Sequence, residues 1–323
     1  MSYSHWLVSG YSSPEGSDLL LIRMQSDSGR LEFLSGMRID KNPSFLCCGQ
    51  SGIYAAQEYD SGASILQINK KGDQLTIGAQ MNIDGAFGLC HLLSCGDMVV
   101  GSCYGNGDVF AVDADLTSVR WQKQNGDKDG ETSHAHWSTL INEQVLCCAD
   151  LGLDALLWRQ ISDGKLLSRT ALEAGSGPRQ AVMSIDGRLA YIINELNSTI
   201  SLLDITGLPR IISTMRTTGH EVSNYPANAC LSGDGLLYVA NRGANTIAAI
   251  DLEGTNPRIV FEVDCGGTWP RWITLSARED FLMCCNQKSD NVVNFRITKS
   301  SLEMRDNISL ANAACAVAVD DYL

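Results

Sequence analysis

The chain has 323 residues and a formal net charge of −13, from 24 Lys and Arg against 37 Asp and Glu. It therefore lacks the excess of cations that holds nucleic acid or an anionic membrane surface. At 44% hydrophobic and 19% charged residues it carries enough apolar surface for a large core and too little charge for a disordered chain, and no apolar run is long enough to span a bilayer.

The chain opens with Met1-Ser-Tyr-Ser-His-Trp-Leu-Val8. This has no basic n-region, no long apolar h-region and no small-residue cleavage site, which points to a cytoplasmic protein. The composition agrees, because the 12 cysteines contain no C-x-x-C and fall partly in adjacent pairs, Cys47-Cys48, Cys147-Cys148 and Cys284-Cys285. Neighbours on a strand face opposite ways, so these read as buried, reduced packing residues and not as metal ligands or disulfides.

The first predicted strand is Trp6-Leu-Val-Ser-Gly-Tyr11, and its phrase returns along the chain. It recurs as Tyr54-Ala-Ala-Gln-Glu58, Val99-Val-Gly-Ser-Cys-Tyr104 and Leu146-Cys-Cys-Ala-Asp150. Later copies run through Asn194-Glu195, Asn241-Arg242 and Leu282-Met-Cys-Cys-Asn-Gln287. The residues ending these strands, Gly10, Gln57, Cys103, Ala149, Asn194, Asn241 and Asn286, are spaced by 47, 46, 46, 45, 47 and 45. A period of about 40–50 built from short strands and Gly-rich turns is that of a β-propeller with four antiparallel strands per blade. Seven periods use the whole chain, so residues 1–323 are expected to form a single all-β domain, a seven-bladed β-propeller. Six repeats have a further apolar strand just before the landmark strand, and the first has none. Its counterpart is Ala313-Ala-Cys-Ala-Val-Ala-Val-Asp-Asp-Tyr-Leu323, so the C-terminal strand is expected to join the N-terminal blade and close the ring.

In an antiparallel blade the start of the innermost strand and the end of the next share one face. The second-strand ends are Tyr11, Glu58, Tyr104, Asp150, Glu195, Arg242 and Gln287; the innermost-strand starts are Ser44, Gly88, His136, Arg179, Ala227 and Arg271. Turn residues are often polar simply because they are wet. Here three arginines meet histidine and carboxylates in an acidic chain, which is what a small anionic ligand and a proton-transfer step require. His134-Ala-His136 could be half of a metal site, with Asp150 or Glu58 in support, but nearby arginines would repel a dication, and neither metal nor cofactor is expected. His5, His91 and His220 fall off these positions and read as structural. Gly175-Ser-Gly177 opens a strand and lacks the helix dipole of a phosphate loop. No nucleophile elbow, Walker motif or dinucleotide fingerprint is present.

Taken together, Lys41-Asn-Pro-Ser44 with Glu58, His134-Ala-His136, Asp150-Leu-Gly-Leu-Asp154, Gly175-Ser-Gly-Pro-Arg179, Asn194-Glu-Leu-Asn-Ser-Thr-Ile200, Asn241-Arg-Gly-Ala-Asn-Thr-Ile247 and Pro270-Arg271 resemble the seven-bladed lactonase family of bacterial 6-phosphogluconolactonases and fungal carboxy-muconate cyclases. The resemblance covers nearly the whole chain. It implies an active site built from the histidine segment, Arg179, Glu195 and Arg242. The chain departs from the family pattern at Gln180, where His is frequent, and at Ser133, where Pro is frequent.

Lactone hydrolysis needs an activated water, a place for the oxyanion and a proton for the leaving ring oxygen. The expected division of labour makes His136 the base, with His134 as its alternate. Arg179 and Arg242 hold the oxyanion or an anionic substituent, and Glu195 orients the histidine, water or sugar hydroxyls. Arg271, Glu58, Asp150, Tyr104 and Gln287 are expected to bind substrate, a small anionic sugar lactone, most simply 6-phosphogluconolactone. Two alternatives stand beside this. One is a lactonising enzyme or cycloisomerase acting on a dicarboxylate; the other is a non-catalytic propeller scaffold.

Overall fold

The computed structural model describes residues 2–14, 16–126, 132–252 and 257–320. Among these residues twenty-eight strands, numbered β1 to β28 in chain order, make seven four-stranded antiparallel sheets. These are the seven blades read from the period. The first strand of each blade is β4 (Pro43–Gly49), β8 (Leu89–Cys95), β12 (Ala135–Asn142), β16 (Pro178–Met183), β20 (Tyr225–Leu231), β24 (Pro270–Leu275) or β28 (Ala313–Ala318). The second is β5 (Gly52–Tyr59), β9 (Met98–Cys103), β13 (Val145–Asp150), β17 (Leu189–Asn194), β21 (Leu236–Arg242), β25 (Phe281–Asn286) or β1 (Tyr3–Gly10).

The pattern of burial follows from composition. Second strands such as Leu-Ala-Tyr-Ile-Ile-Asn in β17 are buried almost end to end, as expected of strands covered on both faces. Fourth strands are wet; β7 (Gln74–Asn82) has only exposed and half-buried residues, and β15 (Leu166–Ala171) is nearly all exposed. All twelve cysteines are free thiols, nine of them buried, in keeping with a packing role. No helix among the described residues is long and apolar enough to cross a membrane.

The chain divides into two compact units. One comprises residues 1–48, 69–76 and 215–323, the other residues 49–68 and 77–214. In the first, the terminal strand closes the N-terminal blade: β28 pairs with β1 from Trp6 opposite Ala318 to Gly10 opposite Ala313. The N–H of Val319 donates to the His5 carbonyl at 2.8 Å, and Asp320 accepts from the His5 N–H at 2.7 Å. Residues 321–323 of the expected closing segment lie outside the described residues. Around this seam Trp6, Val8, Ile22, Phe281, Ala313 and Ala316 pack in one core cluster.

A second feature recurs in both units. The first strand of a blade is a sheet edge, and a side chain from another blade's first strand satisfies its unpaired backbone. In the first unit Asn228 accepts from the Ile273 N–H at 2.8 Å and donates to its carbonyl at 2.9 Å. The Cys315 thiol lies against the N–H of Leu46 at 3.4 Å and its carbonyl at 3.8 Å. In the second unit the Ser138 N–H donates to Nδ1 of His91 at 3.3 Å, and the His91 ring lies 3.8 Å from that of Trp137. His91 is therefore structural, as expected, and it must be neutral to accept.

Two outcomes follow. Deleting residues 313–323 removes a strand with four fully buried residues and unpairs β1. Because each large side chain it uncovers is worth about 1.5–3 kcal/mol, the truncated chain should unfold well below the parent midpoint in thermal denaturation; an unchanged midpoint would refute the closure. Burial pushes the His91 imidazole down from 6.5 to about 3. As pH falls through that window, the unfolded chain binds a proton that the folded chain refuses. Stability that is complete above the unfolded value is thus lost toward acid. His91→Gln keeps an acceptor and should flatten the decline in Tm between roughly pH 6.5 and 4 relative to the parent; parallel declines would show that His91 contributes nothing to it.

Candidate functional site

The residues singled out at the blade ends lie in or within one residue of the strands they were assigned to. Glu58 is next to last and Asp150 and Arg242 are last in their second strands, and Tyr11, Tyr104, Glu195 and Gln287 lie one residue beyond. His136, Arg179 and Arg271 are each second in a first strand.

The register explains how these last three are aimed. In β12 the pairing jumps from Ala135 opposite Asp150 to Trp137 opposite Ala149, so His136 is an extra residue. The jump recurs at Arg179, between Pro178 and Gln180, and at Arg271, between Pro270 and Trp272. A β-bulge leaves one residue outside the ladder and redirects its side chain. In the second unit the Cys90 thiol lies 3.5 Å from the His136 carbonyl and 3.7 Å from that of Ala135, securing the bulge that carries the histidine.

That unit brings five of the predicted residues together. The Arg179 guanidinium is buried, and one of its nitrogens, Nη1, meets both Nε2 of His136 and Oε2 of Glu195, the latter at 2.8 Å. Arginine has only donors, so Nε2 of His136 must accept and the imidazole is the neutral Nδ1–H tautomer. His136 is itself only 6% exposed. The Tyr104 ring stands edge-on to His136 at 6.0 Å and stacks on His134 at 4.3 Å. Nδ1 of His134 donates to the Tyr104 carbonyl at 2.6 Å, since a carbonyl can only accept. Partial burial first, then the charge of Glu195 and Glu58, raise the Tyr104 phenol above its ordinary value, with Arg179 pulling the other way. Tyr104 is thus a protonated hydrogen-bond donor that shares a field with both carboxylates.

Asp150 has a different setting. It is fully buried and accepts from the backbone N–H groups of His134 at 2.9 Å and Leu153 at 3.1 Å, from Ser133, and from Asn125 at 2.8 Å. Asn125 is held in turn by buried Arg159 at 2.8 Å. Asp150 anchors the turn that presents His134. Asn125 and Arg159 carry no signal in the sequence, and Ser133 stands out there only as a replacement of a frequent Pro.

In the first unit Nε of Arg242 donates to the Tyr225 carbonyl at 2.9 Å, and its guanidinium lies 5.5 Å from the Trp269 ring centroid. Arg271 lies over Tyr11 at 4.9 Å. The Gln287 N–H donates to the Trp269 carbonyl at 3.0 Å. Among the described residues no group of three or more His, Cys, Asp or Glu side chains is placed to hold a metal ion.

The family model described as "Lactonase, 7-bladed beta-propeller" matches residues 5–319. The chain is 26% identical to a Lactococcus lactis protein, over 93% of this chain and 95% of that one. It is 25% identical to a 6-phosphogluconolactonase of Bacillus subtilis, over 80% of this chain and 81% of that one. Among solved structures, a periplasmic gluconolactonase of Pseudomonas aeruginosa superposes with a TM-score of 0.89 at 20% identity, covering 98% of this chain and 99% of that one, a likeness of fold.

Proposed function

This chain belongs to the lactonase family of seven-bladed β-propellers, and from that premise we propose that it opens a sugar lactone to its hydroxy acid, with 6-phosphogluconolactone the first substrate to test. The observation that carries the reading is Arg179, whose one nitrogen is shared between a neutral histidine and a carboxylate. The thiols, free and mostly buried, support a cytoplasmic location.

The chemistry runs through that shared nitrogen. With Arg179 donating to Nε2, the lone pair of His136 is engaged. A lactone carbonyl oxygen competes for the same donor, and more strongly as negative charge develops on it. As Arg179 turns to the oxyanion, Nε2 is released to take a proton from water, whose oxygen bonds to the carbonyl carbon. Collapse of the tetrahedral intermediate breaks the bond to the ring oxygen, and His136 returns the proton there, giving the hydroxy acid. Glu195 holds the guanidinium through 2.8 Å and balances its charge. Tyr104 donates to a substrate oxygen, and His134 positions Tyr104 through ring stacking and the bond to its carbonyl. Glu58 contributes negative charge beside Tyr104 and suits sugar hydroxyls.

His136→Asn should lower kcat by about 10²–10⁴ with little change in KM, as for loss of a general base. Glu195→Gln should cause a partial loss nearly independent of pH. If His136 and His134 can both be replaced without cost while Glu195→Gln is inactive, the carboxylate is the base. Since Arg179 places positive charge against His136, turnover should also persist in excess chelator; loss in EDTA with recovery on adding calcium or zinc would instead assign a metal-assisted reaction.

A further inference from the structure

The residue just before the first strand of a blade adopts a left-handed backbone in five repeats: Asn42, Gly88, Gly177, Trp269 and Asn312, with φ of 51, 67, 59, 66 and 50°. Glycine and asparagine tolerate this region, whereas a bulky side chain there is strained. Trp269 also precedes Pro270, which disfavours compact backbone conformations in the residue before it. The fold could use Asn or Gly at this position, as the four other left-handed repeats do.

The strained segment is firmly tied. The Trp269 N–H donates to Oδ1 of Asn245 at 2.8 Å, its carbonyl accepts from Gln287, and the Thr268 carbonyl accepts from the Lys288 N–H at 3.1 Å. The half-buried indole has cations gathered on it. The Lys288 ammonium is 3.4 Å from the ring centroid and the Arg242 guanidinium 5.5 Å, while the Tyr225 ring lies at 6.0 Å. Such contacts hold cations in place over the negative face of the ring. Lys288 is exposed, and among the described residues no carboxylate pairs with it. In a chain of net charge −13, two cations sharing one aromatic ring form a local trap for an anion.

We propose that Trp269, Lys288 and Arg242 form a subsite for the anionic substituent, phosphate or carboxylate, of a small sugar-acid ligand. Arg242 can offer a planar fork and Lys288 a mobile point charge, and the indole supplies an apolar surface beside them. The choice of sugar acids as ligands rests on the lactonase reading; the subsite itself rests on the strained tryptophan and its cations.

The test is equilibrium binding of 6-phosphogluconate, gluconate and inorganic phosphate to the full chain, followed by calorimetry and by tryptophan fluorescence. We expect binding of at least one of these anions, weakened by about tenfold in Lys288→Gln, a step corresponding to one lost charge-assisted contact. Trp269→Asn should weaken it too, abolish the ligand-dependent fluorescence change, and leave Tm equal or raised, because Asn suits the left-handed backbone. Gluconate binding as tightly as 6-phosphogluconate assigns the subsite to a carboxylate; 6-phosphogluconate binding more tightly, with inorganic phosphate competing, assigns it to a phosphate. Parental affinity in both variants, or no binding of any of the three, overturns the proposal. Lactones left intact by a chain that still binds these anions in the expected way would refute the lactonase reading alone.

Discussion

A blade's first strand has a ladder on only one side, and the unpaired N–H and C=O groups on the other must find partners or cost the fold a desolvation penalty at every blade. This protein meets the constraint with side chains from another first strand. Asn228 answers both groups of Ile273, His91 takes the N–H of Ser138, and Cys315 lies against both groups of Leu46. An amide, an imidazole and a thiol thus do one job. What they share is the capacity to bond without carrying charge, which a buried position demands.

Once the edge is held this way, its entry end can depart from regular pairing. The jumps in register at His136, Arg179 and Arg271 are one device, which recurs at Cys90 in β8 and at Ala314 in β28. Regular alternation would place neighbours such as Pro178 and Arg179 on opposite faces of the sheet. The bulge takes the second of them out of the ladder and leaves the first in it. His136 and Arg179 in the second unit therefore share a repeated irregularity, and side-chain choice at that one position decides whether a blade presents a histidine or arginine there or an uncharged thiol such as Cys90.

Much of this was open to inspection in the chain itself. The period near 46 located the blades, and the ends of the repeats picked out Tyr104, His136, Arg179 and Glu195 as neighbours. Depth was harder to read. Asp150 occupies the same repeat position as Glu195, yet it points into the protein and binds its own turn, because position in a repeat does not reveal which way a carboxylate faces. The bulges were hidden because an added residue looks like any other strand residue. Trp269 was passed over because backbone strain has no letter in the sequence, and only comparison with Asn42, Gly177 and Asn312 in the folded chain makes it visible.

The use of cysteine as a neutral core and clasp residue carries a chemical consequence. Burial pushes the Cys148 thiol up to about 11 and that of Cys315 up to about 12, and raises those of Cys103, Cys147 and Cys285 well above the ordinary value. The thiolate is the form that reacts with alkylating agents and oxidants, so these sulfurs are doubly shielded, by lack of access and by lack of ionisation. Cys315 and Cys90 add hydrogen-bond contacts with backbone carbonyls. Their modification requires the strand that carries them to come away from its neighbours. The chain is thus fitted with native reporters of local opening, and the order in which its cysteines become alkylated would rank the blades by how readily each one lets go.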